Sequence, residues 1–76
     1  MKPRRLTNNE IKFLKENLQR FVEPSKLGNI PAIEMDLLDR WFYLPNEGFI
    51  RGTDTSKGFF LCWATATQEV MNKINA

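Results

Sequence analysis

Apolar residues recur at helical spacing near the start of the chain. Ile11, Leu14, Leu18, Phe21 and Val22 fall within one arc of about 100° on a helical wheel, the width of a stripe that faces a core. A first helix is therefore expected over about residues 8–22, opened by Thr7-Asn8-Asn9-Glu10, which has the spacing of a capping box. Phe13 falls almost opposite the stripe, beside Glu16, Asn17 and Arg20. Residues 23–31 hold two prolines and a glycine, and read as a connection with room for one short helical turn. Pro31 suits the first position of a helix and Pro45 disfavours its continuation, so a second helix is expected over about residues 31–44. Its wheel has one seam of Ile33, Leu37, Trp41 and Leu44 and a second of Met35, Leu38 and Phe42. Together they span about 200°, twice what a surface helix needs. Asp36, Asp39, Arg40 and Tyr43 take the remaining face.

The period then changes. Asn46-Glu47-Gly48 is a turn signal, and Phe49-Ile50-Arg51 and Phe59-Phe60-Leu61-Cys62-Trp63-Ala64 are β-prone runs around a polar, glycine-bounded segment over 52–58. They predict an antiparallel hairpin whose second strand is apolar on both faces. Thr65-Ala66-Thr67-Gln68 repeats the capping-box spacing and leads into a short helix with Ala66, Val70 and Ile74 on one side. The expected fold class is α+β, one domain over 1–76 built as two helices, a β-hairpin and a short C-terminal helix (ααββα), with 1–6 as a flexible basic arm.

Charge refines this picture. The chain of 76 residues carries 11 Lys and Arg against 9 Asp and Glu, a net +2. Residues 1–26 hold seven bases and three acids, whereas residues 27–50 hold one base and four acids. The near-neutral total thus hides a basic N-terminal end and an acidic middle.

Two absences in the composition remove most chemistry. Without histidine the chain lacks the usual general base at neutral pH, the usual triad member and the commonest transition-metal ligand. The single cysteine, Cys62, has no internal disulfide partner and sits in an apolar run, which points to a core residue of a protein in a reducing cytosol. Asp36 and Asp39 are the densest carboxylates with Glu34, but they lie on the polar side of the expected helix, where a solvated surface explains them. No enzymatic activity, metal, cofactor or small-molecule substrate is expected. No run of 18 apolar residues exists for a membrane span, and Glu10, Glu16 and Glu23 interrupt the basic face that a lipid-surface helix would need.

Binding remains. The stretch Gly48 to Leu61, a glycine and short strand followed by a polar segment ending in Lys57-Gly58 and a returning strand, resembles the end of winged helix-turn-helix domains. That resemblance covers residues 33–74 as a pattern, and it implies a recognition helix over 31–44 and a DNA-contacting wing. The expected nucleic-acid contacts are then Lys2, Arg4 and Arg5 in the arm and Arg51 and Lys57 in the hairpin. The recognition helix would present Asp36 and Asp39 to phosphate, which repels them. Surplus apolar surface and nine aromatic residues point instead to a protein partner, with Phe13, Arg20, Asp36, Asp39, Arg40 and Tyr43 as the expected contacts. The second helix and strand 59–64 are candidate surfaces for a homodimer. By analogy of class alone, such short cofactor-free chains are used by phages and mobile elements to inhibit or redirect a host machine.

Overall fold

The computed structural model describes residues 4–36 and 38–75, and shows an α+β fold built on a five-stranded antiparallel sheet. Its elements are α1 (Asn8–Glu16), β1 (Phe21–Val22), α2 (Pro24–Leu27), β2 (Ile33–Met35), β3 (Asp39–Leu44), β4 (Gly48–Thr55), β5 (Gly58–Ala64) and α3 (Gln68–Ile74). β2 to β5 form a meander and β1 closes the far edge beside β5, in the order β1-β5-β4-β3-β2.

The expected second helix is the main correction. Residues 31–44 form β2, a turn and β3, with Ile33 opposite Trp41 and Met35 opposite Asp39. The chain reverses at Asp36, whose φ of +55° is a left-handed conformation that Asp tolerates, and the Leu38 N–H donates to the Met35 carbonyl. The apolar arc of 200° has a simple cause. Trp41 faces one side of the sheet and Phe42 and Leu44 the other, all three are buried, and a strand covered on both faces is apolar all round when wrapped on a helical wheel. With residues 33–35 and 39–44 in strands, no recognition helix and no helical self-association surface exist there. Lys2 and Leu37 lie outside the described residues.

Each sheet face carries its own core. On the first, Phe42, Leu44, Ile50, Phe59 and Leu61 pack with Leu14 of α1, Leu27 of α2, Leu6 and Val22. On the second, Ile33, Met35, Trp41 and Phe49 pack under Val70 of α3, with Ala66 and Ile74 alongside. Val70 and Ile74 share the core-facing side of α3 as expected, but Ala66 lies before the helix, because the cap is Thr67, two residues later than expected. The one-turn helix expected in the connection is α2, with Pro24 in its first turn.

α1 starts where the capping box places it and ends six residues early. The Thr7 hydroxyl accepts from the Glu10 N–H and the Glu10 carboxylate accepts from the Thr7 N–H. After Glu16 the chain turns through Gln19, at φ +59°, and enters the sheet. Strand alternation then buries Val22 and exposes Phe21, which the helical stripe had placed in the core. Phe13 also departs from expectation, because it is half-buried against the first core.

The arm is tied down from Arg4 onward. The Arg4 guanidinium forks onto Glu10, with Nη1–Oε1 at 2.9 Å and Nη2–Oε2 at 2.8 Å, Nη2 also donates to the Asn29 carbonyl, and Leu6 is buried. Arg4 first, and then the Thr7 N–H, hold the Glu10 carboxyl down to about 2 from its usual 4.5. A depressed carboxyl contributes stability above its unfolded value and loses it as pH falls through its folded value. Wild-type stability should therefore decline between about pH 4.5 and pH 2. Glu10→Gln, which keeps the cap acceptor without the charge, should cost about 0.5–1 kcal/mol at neutral pH and remove that part of the decline. Urea titrations at several pH values check this; parallel losses in the two proteins would refute it.

The hairpin is longer in strand and shorter in loop than the sequence suggests. β4 continues through the β-branched Thr53 and Thr55, which leaves Ser56 and Lys57 as the turn. The Thr55 hydroxyl accepts from the Lys57 N–H at 3.1 Å and donates to the Gly58 carbonyl at 2.5 Å, closing the turn locally.

Candidate functional site

The second sheet face is covered by α3, which packs toward β2, and the part of that face away from β2 keeps exposed side chains. What remains uncovered forms two adjoining surfaces.

The first is a groove of about 340 Å³ between the N-terminal segment, the sheet and α3. Trp41 and Phe49 stand edge to face at 6.2 Å, and Tyr43 lies 5.1 Å from Phe49, so three aromatic rings make the floor. Cross-strand register produces this cluster: Tyr43 is directly opposite Phe49, and Trp41 is two residues along β3 on the same face. Arg4, Arg5 and Met71 line the sides. Tyr43 is 44% exposed and Met71 38%, so the groove offers apolar atoms to solvent. Its two arginines differ. Arg4 is committed to Glu10 and also donates to the Arg5 carbonyl, whereas the Arg5 guanidinium is exposed and makes no hydrogen bond or ion pair among the described residues.

The second surface lies at the β5–β1 end of the same face. Phe21 and Phe60 are cross-strand partners with ring centroids 5.0 Å apart. Next to them are Cys62, half-buried, and Arg51, whose guanidinium sits 5.7 Å from the centre of the Trp41 ring. Lys57, from the hairpin turn, reaches over Phe21 at 5.7 Å.

The residues expected to meet a protein partner do not share a face. Tyr43 lines the groove. Asp36 is in the β2–β3 turn, and Arg20 is exposed beside β1 with its carbonyl accepting from the Leu61 N–H. Asp39 is half-buried between Met35 and Thr53. Arg40 faces the opposite side of the sheet, 3.9 Å from Glu34 and 5.1 Å from the centre of the Phe59 ring. Of the residues expected to meet nucleic acid, Arg4 and Arg5 belong to the groove and Arg51 and Lys57 to the Phe21–Phe60 surface. Phe49, Met71 and Phe21 were not among either set. For Phe49 the sequence offered only its place in a β-prone run, the helical stripe had placed Phe21 in the core, and nothing pointed to Met71.

Among the described residues, no group of three or more His, Cys, Asp or Glu could hold a metal ion, and no helix is long and apolar enough to cross a membrane. Comparison with family models, with curated proteins and with solved structures found no match.

Proposed function

We propose that the chain is a non-catalytic binding module that seats a segment of a protein partner in the groove between residues 4–6, β3–β4 and α3, and so regulates or inhibits that partner. The observation that carries this reading is the groove floored by Trp41, Tyr43 and Phe49, of which Tyr43 is open to solvent, beside the exposed Arg5. Aromatic and arginine side chains at the centre of a concave surface are the usual anchors of protein interfaces. The segment that fits presents an apolar or aromatic side chain to the floor and a carboxylate to Arg5. Duplex binding through the arm and hairpin has less support, since Arg4 is engaged by Glu10 and the span 33–44 supplies no helix to enter a groove.

Capture on the immobilised chain from nuclease-treated lysate of the native host, at about 0.15 M salt, tests this reading. One protein should be retained by wild type and lost more than about tenfold by Tyr43→Ser and by Arg5→Glu, with melting unchanged because both side chains are exposed. A capture that survives both substitutions, or that needs intact nucleic acid, would remove the groove as the site.

A further inference from the structure

The Phe21–Phe60 surface has a chemistry distinct from that of the groove. It is an open piece of sheet, with Phe21 49% exposed and Phe60 half-buried on adjacent antiparallel strands, their rings tilted by 51°. Cations flank it on two sides: Lys57 over Phe21 at the hairpin end, and Arg51 diagonally across from Phe60 on β4. Thr53, directly opposite Phe60, adds a neutral hydroxyl between them. Asp39 is two strands away from Phe60, beyond Thr53, and Asp54 takes the other face of β4. The surface is thus aromatic and flanked by cations; Asp54 points to the other face, Asp39 lies at the far side of the row, and Glu23, two residues after Phe21, is the nearest carboxylate along the chain.

From this juxtaposition we infer that the β1–β5 end of the sheet binds single-stranded nucleic acid, with unpaired bases stacking on Phe21 and Phe60 and the phosphates running between Arg51 and Lys57. A protein anchor seeks a concavity that excludes water, whereas this surface is open and its cations lie over or beside ring faces. A base has a flat π-face for each ring and a phosphate for each cation, and it needs no pocket. Duplex DNA offers the phosphates but keeps its base faces within the stack, so the aromatic pair selects for single strands. Sequence preference should be weak, because stacking is available to every base. The inference is independent of the groove and of the protein partner assigned to it.

Fluorescence anisotropy with a labelled oligothymidine and a labelled oligouridine of ~12 nucleotides tests it on the full chain, between about 50 and 200 mM salt. Wild type should bind both single strands, more tightly than a duplex of the same length. Phe21→Leu keeps apolar bulk on the exposed edge strand but removes the π-face, and should weaken binding about tenfold. Lys57→Gln should weaken it at low salt and lower the slope of log affinity against log salt by about 0.7, the signature of one lost phosphate contact on a single strand. Phe21→Trp provides a second reading that does not depend on tolerance of the leucine, and should bind more tightly than wild type. The inference is overturned by no binding at about 50 mM salt, by Phe21→Leu and Phe21→Trp both binding as wild type does, or by a duplex binding as tightly as the single strand. Loss of the groove's protein partner on Phe21→Leu, with oligonucleotide binding unchanged, would give this surface to a protein instead.

Discussion

Replacing Gly58 with alanine is expected to destabilise the protein by about 2–4 kcal/mol, most of what a domain of this size has in hand. Gly58 has φ +119°, a backbone conformation that side chains strongly disfavour. A Cβ placed there would lie 2.7 Å from the Val22 carbonyl oxygen and 3.2 Å from its carbonyl carbon. Both are backbone atoms, so relief requires moving β1 away from β5. β1 is only two residues long and forms the sheet edge, and it is the part most easily displaced. Gly28→Ala is the matched control, because its nearest neighbour would be 3.6 Å away and its backbone is helical. Urea unfolding of the two variants should separate them by at least about 2 kcal/mol; equal stabilities would mean that β1 is not packed against Gly58. Loss of β1 would also carry Phe21 away from Phe60, so Gly58→Ala should weaken oligonucleotide binding without touching an aromatic residue.

The second large effect separates the sheet from the helix that the wheel suggested. Phe42 and Leu38 lie together in one apolar seam if residues 31–44 are helical. In the sheet Phe42 is fully buried among Leu14, Ile50 and Leu61, whereas Leu38 sits in the β2–β3 turn at 57% exposure. Phe42→Ala should cost about 3–5 kcal/mol, enough to leave the domain largely unfolded at room temperature. Leu38→Ala should cost less than about 1 kcal/mol, since the turn is held by backbone bonds from the Leu38 N–H to Met35 and from the Asp54 N–H to the Leu38 carbonyl. Far-ultraviolet circular dichroism with thermal melts measures both. Similar losses at the two positions would contradict the sheet.

Local signals were legible wherever one element contained its own instructions. The Thr7–Glu10 box, the proline-opened turn at 24–27, the turn at 45–47 and the face of α3 all depend on residues within about one helical turn of each other, and all are found close to where the chain predicts them. The candidate sites were legible only in pieces. Tyr43, Arg5, Arg51 and Lys57 stand out as polar or charged positions, but the groove also needs Phe49 and Met71, and the second surface needs Phe21 opposite Phe60. Those neighbours come from segments far apart in the chain.

What the sequence by itself determined is the content of the molecule: an α+β composition, the start of α1, the hairpin, a chain without histidine and a surplus of apolar residues in its middle. What only the tertiary structure decided is where that surplus goes. Residues 33–44 carry apolar side chains on both sides of any regular arrangement, so neither a period of 3.6 nor a period of 2 stands out. The choice falls to strand pairing, because Ile33 to Met35 and Asp39 to Leu44 meet their hydrogen-bond partners in each other and in β4. The sheet then has two faces to cover and three short helices to cover them with. The part of the second face that those helices leave bare is the surface from which both binding proposals are drawn.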